Sequence, residues 1–296
     1  MTAAVPPAPR QPGAPSVTAP RPPVPLRRIR ADTTRTPLDL AELWRYRDLW
    51  LTLALRDVKL RYRQTALGVA WVVLLPLLAS GIFTLVFSVV AGLPSDGSPY
   101  FLFVFAGFLG WNAFQNTLQR CSISLIGNTS LVTKVYFPRI ILPASSVLAS
   151  LLDFAVGATL LLLVLLVRGS LASPVMLLVL PLLLLLLQML ALGLGLFAAA
   201  LIVRYRDVQY VLPFLIQLLL YASPVAYGVA AVPERARRFY LLNPVAPLLD
   251  AMRSALLGRG EIHWKAVAAS GAISVVLLVL GTLFFLQQDR QYADVI

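Results

Sequence analysis

Six stretches of this 296-residue chain are apolar over roughly the 20 residues that a helix needs to cross a ~30 Å hydrocarbon core. They run Ala66–Ala91, Tyr100–Leu118, Ile140–Val167, Pro174–Val203, Val208–Val229 and Trp264–Leu286. A backbone inside a bilayer must satisfy its own polar groups, so such runs are read as helices. The expected fold class is an all-α integral membrane protein with six transmembrane helices. The second run is the least apolar, because Gly107, Gly110, Asn112, Gln115 and Asn116 interrupt it. Hydrophobic residues make up 59% of the chain and charged residues 13%, which excludes a soluble globular enzyme. With Cys121 the only cysteine and His263 the only histidine, a disulfide framework and a His-rich metal site are excluded as well.

The basic residues orient the spans. In a soluble chain a net charge of +12 would suggest nucleic acid. Here 18 of the 25 Lys and Arg fall in residues 1–65, 119–139, 204–207 and 287–296. The other set, residues 92–99, 168–173 and 230–263 with Lys265, holds seven. The positive-inside rule makes the richer set cytoplasmic. Both termini are therefore expected inside. No internal repeat is visible, so the inverted half-repeats of many secondary transporters are not evident.

Residues 1–37 carry ten prolines and no apolar run. This is not a signal peptide, and the expectation is a disordered Pro-rich tail. Residues 38–65 follow as an amphipathic interface helix. Asp39 and Glu42 have capping-box spacing at its start. At 100° per residue Arg45, Asp48, Thr52, Arg56, Lys59 and Arg63 form a narrow polar stripe, with Trp50 and several leucines away from it. Such a basic helix suits the plane of an inner-leaflet interface. Arg47, Asp57 and Arg61 break the pattern. Asp57 and Arg61 are spaced to pair along the helix; alternatively these groups face a protein partner or a lipid phosphate. Residues 66–290 are the six-span domain and 291–296 a cytoplasmic tail.

Two connections are too apolar for ordinary loops. Between spans two and three, Asn128 or Ser130 can cap a short helix that Pro138 ends at or before Phe137. Leu131, Val135 and Tyr136 would lie within about a turn of one another. This is either a knob that docks into a partner or a turn lying on the bilayer. Between spans five and six, Pro224 closes one helix, Pro233 opens another, Asn243-Pro244 breaks it, and Gly258 ends a third. These pieces fit an external re-entrant helix pair or a surface hairpin.

The residues resemble a known family. Arg56-Asp57-Val58-Lys59-Leu60-Arg61-Tyr62-Arg63 with Gln64-Thr65-Ala66-Leu67-Gly68 is similar to the opening motif of type 2 ABC export permeases. Val132-Thr133-Lys134-Val135-Tyr136-Phe137-Pro138-Arg139 with Leu142-Pro143 resembles their first cytoplasmic loop. Arg204-Tyr205-Arg206-Asp207-Val208 with Pro213, and Leu242-Asn243-Pro244 with Arg253, resemble later segments. Within that family the chain is most similar to permeases that export lipid-carrier-linked polysaccharides: O-antigen, teichoic acid or galactan-like glycans. The resemblance implies a homodimer, two copies of a separate ABC ATPase subunit, and no enzyme activity on this chain. It places ATP and Mg on that partner. No G-x-x-x-x-G-K-[ST] occurs here, which agrees. Asn128, Leu131, Lys134, Val135, Tyr136 and Phe137 would then form the coupling helix. Arg56, Asp57, Lys59, Arg61, Arg63, Arg204 and Arg206 would meet the ATPase or a carrier phosphate. Pro224, Tyr227, Phe239, Tyr240, Asn243, Pro244 and Arg253 would form an external gate.

A glycan path is expected to be wet and lined by rings. Phe101, Phe105 and Phe108 form one helical stripe, which fits either a path or plain packing. Asp153, about 18 Å into span three, marks a cavity or a polar partner; Gln188 and Gln217 are the candidate partners. Two other readings compete. A lipid-carrier transferase would need clustered acids or histidines at one membrane face, and the acids here are scattered. An ATP-independent channel or carrier leaves the cytoplasmic loop unexplained. Within the exporter reading, the alternative cargo is a lipid or a drug.

Overall fold

The computed structural model describes residues 40–62, 70–92, 97–170, 172–228 and 242–295. The N-terminal tail, Arg63, Phe239, Tyr240 and the helix opening at Pro233 lie outside the described residues. Every regular element among the described residues is helical. In chain order they are α1 (Leu40–Arg45), α2 (Arg47–Tyr62), α3 (Ala70–Thr84, continued by a π-helical turn over Leu85–Val90), α4 (Tyr100–Ile123), α5 (Thr129–Lys134), α6 (Ile141–Val167), α7 (Pro174–Arg204), α8 (Val208–Tyr221), α9 (Val245–Leu257) and α10 (Trp264–Val295).

Among the described residues four helices are long and apolar enough to cross a membrane: Ala70–Val90, Ile141–Val167, Pro174–Arg204 and Trp264–Gln288. The sequence reading had six. The second of its runs is present as α4, 24 residues long, but Asn112, Gln115 and Asn116 dilute its apolarity. The fifth is shorter than expected. α8 has 14 residues and stops at Tyr221 rather than Val229, about 21 Å of helix against a ~30 Å core. Pro224 ends it, because Pro lacks the N–H of the next helical bond and disfavours α geometry in the residue before it. The interface segment also differs. It is two helices broken at Tyr46, not one.

α4 is the hub. It packs most heavily on α6 and α7 and also meets α3, α8 and α9. Trp111, Phe103, Phe105 and Phe114 on it are fully buried. Being enclosed, α4 need not be as apolar as a lipid-facing helix. α3 is the opposite case: only Pro76 and Ser80 are buried along it. The most extensive pairing is α7 with α10. Gly193 and Gly281 allow it. A side chain on Gly281 would run into the Gly193 carbonyl, and one on Gly193 would meet the Leu277 backbone at 2.6 Å. Such close backbone approach is how helices associate where lipid is as apolar as leucine.

Gly281→Val should therefore destabilise by more than the usual 1–3 kcal/mol of an overpacked site, because backbone rather than a flexible side chain must move. Gly81→Ala, where nothing lies within 4 Å, should be neutral or stabilise by about 0.5–1 kcal/mol. Thermal unfolding of the two purified variants in detergent checks the contrast.

Candidate functional site

A cleft of about 290 Å³ opens between α3, α4 and α6. Trp71, Leu75 and Pro76 line it from α3, and Phe108, Asn112, Gln115 and Asn116 from α4. Asp153 and Phe154 line it from α6. Asn112, Gln115 and Asn116 stand at i, i+3 and i+4, so they share one helix face. Trp111 Nε1 donates to Gln115 Oε1 at 2.6 Å, which orients that amide. Asp153 is the charged group of the cleft. It is salt-bridged to Arg120 at 3.4 Å. This corrects the sequence expectation. Gln188 instead accepts from Thr117 at 2.5 Å and donates to the Ala113 carbonyl. Gln217 pairs with Tyr221 at 3.1 Å. Ending span two at Leu118, as hydropathy does, leaves Arg120 in a loop. α4 runs one more turn, to Ile123. The signal was available: Asn112, Asn116 and Arg120 repeat at i, i+4 and i+8 along one face.

The aromatic stripe divides. Phe108 lines the cleft and meets Phe83 edge-on at 5.2 Å. Phe105 is buried, with Phe101 stacked on it at 6.3 Å. Both pack α4 rather than line the cleft.

At the end of the bundle where α4 stops, the chain forms the short helix α5. Asn128 occupies its N-cap position, yet its side chain makes no cap bond. Its Nδ2 donates to the Ser124 carbonyl at 2.9 Å, and its Oδ1 accepts from Arg56 at 2.7 Å. Arg56 also holds Asp57 at 2.9 Å. α2 is thereby tied to this loop. The side chain of Arg61, the alternative partner of Asp57, lies outside the described residues. After Lys134 the backbone turns extended, with Val135 at φ −126° and ψ 133°. Val132 and Phe137 are buried beside Leu53, Cys121 and Leu125. Val135 and Tyr136 are 50% and 59% exposed. Leu131 is half-buried and Lys134 exposed. Phe137 is thus an anchor and Tyr136 the outward group. Lys59, Arg204 and Arg206 are exposed.

At the opposite end α8 is followed by a turn over 222–228 that is buried from Ser223 to Ala226. Arg253 on α9 organises it. Its guanidinium is 3% exposed and stacks on Phe103 at 3.9 Å. It donates to the carbonyls of Pro224, Val225 (3.2 Å) and Tyr227 (3.4 Å). Asn243 donates to the Ala222 carbonyl at 3.2 Å and to Ser223 Oγ at 2.9 Å, and accepts from the Val245 N–H at 3.0 Å. That last bond caps α9 just beyond Pro244. Tyr100, not singled out from sequence, donates to the Ala226 carbonyl at 2.7 Å. The structure brings Pro224, Tyr227, Asn243, Pro244 and Arg253 together around this turn.

Comparison with known proteins agrees with this architecture. Residues 48–257 match the family described as ABC-2 type transporter. An O-antigen export system permease protein RfbA of Myxococcus xanthus is 30% identical over 261 residues, 86% of this chain and 97% of that protein. The protein of the same name from Klebsiella pneumoniae is 24% identical over 249 residues, 84% of this chain and 95% of its own.

Two substitutions test the geometry. Arg253→Met should take a donor from the buried Pro224 and Val225 carbonyls, at about 1–3 kcal/mol each, and from the part-buried Tyr227 carbonyl, and so lower the unfolding temperature. Arg120→Gln and Asp153→Asn should be coupled. In a double-mutant cycle on thermal stability, the pair should cost less than the two singles summed, by about 0.5–3 kcal/mol.

Proposed function

We propose, from the premise that this chain belongs to the ABC-2 type transporter family, that it carries a lipid-linked polysaccharide of the O-antigen kind across the bacterial inner membrane. The chain is a multi-pass membrane permease subunit of an ABC exporter and not an enzyme. Its relatives are named for O-antigen export, and they are covered almost end to end.

The full subunit in this proposal has six spans, with α4 and α8 joining the four most apolar long helices. α9 is one arm of a re-entrant pair; the helix expected to open at Pro233 lies outside the described residues. At 13 residues α9 is too short to span, yet all its residues from Ala251 to Leu257 are buried, which supports that reading. The Lys and Arg asymmetry supports cytoplasmic termini. The subunit works as a homodimer with two ABC ATPase subunits, which bind ATP and Mg. Asn128 to Phe137 seats in the ATPase. Arg61, Arg204 and Arg206 meet the phosphate of the carrier. The cleft with Asp153 and the polar face of α4 belongs to the path, where amides suit sugar hydroxyls.

The observation that carries the coupling role is the outward pair Val135–Tyr136, held between buried Val132 and Phe137. An exposed apolar tip on an anchored base is built to be covered by a partner. Tyr136→Ala in the chain co-expressed with its ATPase should weaken co-purification by about 2 kcal/mol, roughly thirtyfold, and depress coupled ATPase activity, while the permease itself stays folded. Phe137→Ala should instead cost about 3–5 kcal/mol of permease stability. Full ATPase coupling in Tyr136→Ala, or transport in proteoliposomes with no ATPase present, would sink the reading.

A further inference from the structure

We propose that a second pocket, at the end of the bundle opposite α5, binds the phosphate of a lipid. The pocket measures about 280 Å³ and lies where α6 ends, α9 ends and α4 begins. Leu102, Leu165 and Leu257 line it with Ser98, Arg168 and Arg259. Two guanidiniums that are far apart in sequence thus meet in one concavity, with no acid among its lining residues. Arg168 makes no ion pair or side-chain hydrogen bond among the described residues. Arg259 donates one N–H to the Gly97 carbonyl, and a guanidinium carries five such donors. Neither is paired with a carboxylate among the described residues, although Glu261 is near in sequence.

The site is built rather than incidental. Gly258 takes the left-handed conformation, φ 65°, that closes α9. A side chain there would meet Ala172 at 2.7 Å, so the turn carrying Arg259 is packed in place. The Arg259 bond to Gly97 ties the third chain segment to it. The chemistry then selects the ligand. Arginine forks fit phosphate oxygens in pairs. Ser98 and Ser170 add neutral hydroxyls, and the leucines suit a hydrocarbon stem. The depth agrees: Leu166 and Val167 are exposed at the end of α6, and Arg168 follows, where a lipid-facing helix reaches the headgroup layer. Basic residues are scarce in this set of connections, so two in one pocket are not topology signals.

The phosphate has two sources, a bilayer phospholipid or the polyprenyl carrier; the second rests on the export reading above. Native mass spectrometry of the full chain in neutral detergent distinguishes them. The probes are dioleoyl phosphatidylglycerol, dioleoyl phosphatidylcholine and a polyprenyl phosphate. The wild type should retain an anionic probe. Arg168→Gln/Arg259→Gln should lose that retention by about tenfold, the loss of a charge-assisted bond. Lys265→Gln, at an exposed lysine outside the pocket, should keep it. Preference for phosphatidylglycerol assigns the site to bilayer lipid, and preference for polyprenyl phosphate to the carrier. Wild-type retention by the double variant, or equal retention of phosphatidylcholine, overturns the proposal. If the double variant unfolds early, Arg168→Gln alone carries the test, because its guanidinium makes no bond among the described residues. Neither ATP nor the ATPase is needed, so failure here leaves the export reading standing.

Discussion

A peptide carbonyl that leaves its helix in an apolar setting must find a donor, and at the turn after α8 the Arg253 guanidinium serves more of them than any other group. α8 stops at Tyr221, but the chain stays buried from Ser223 to Ala226. The accounting closes over seven consecutive carbonyls. Tyr221 accepts from the Tyr227 hydroxyl, Ala222 from Asn243 and Ser223 from the Val225 N–H. Pro224, Val225 and Tyr227 accept from Arg253, and Ala226 from Tyr100. Non-helical backbone at such a place is tolerated only when it is satisfied in this way. The donors come from α4, α9 and the Asn243 cap, so satisfying the turn also joins those elements.

That junction explains why α4 is polar. Helices on several sides remove it from lipid, and its face toward α3 and α6 is then free to carry amides and a charge. Asp153 and Arg120 are tolerable in the bundle because they meet each other across it. α3 shows the reverse. Its outward residues are Trp71, Leu75, Leu78 and Ile82, all exposed and all apolar, as a surface for lipid or another subunit demands.

How much of this was legible in the sequence depended on whether the signal was local. α6 was placed within a residue at both ends, and α7 likewise, because Pro174 and the basic residues Arg168 and Arg204 punctuate the chain. Where hydropathy alone set the edge, the reading failed in both directions. α4 was ended too early at Leu118, since Gln119 and Arg120 look like loop in a linear scan. α8 was carried too far, to Val229, since Val225, Ala226 and Val229 look like helix. Hydropathy reports side chains, whereas Ser223-Pro224 breaks the backbone. The partner of Asp153 was lost with Arg120. The short helix α5 is legible in outline, but which of Tyr136 and Phe137 faces out depends on an extended residue at Val135 that a helical wheel cannot show.

α4 also connects the separate sites into one mechanical element. It is a rod of 24 residues, about 36 Å long. At one end Tyr100 and Phe103 hold the buried turn and Arg253. Midway it presents Asn112, Gln115 and Asn116 to the cleft, and one turn later Arg120 grips α6. Its far end passes through Ser124 to Asn128, which Arg56 ties to α2. In the proposed exporter, a push on the tip at Tyr136 is delivered through the Phe137 anchor to the base of this rod. Packed helices respond by shifting as bodies rather than by deforming. The same displacement therefore reaches the cleft wall and the Arg253 turn together. Among the described contacts, Arg120–Asp153 is the polar tie that resists sliding of α4 along α6 within the cleft.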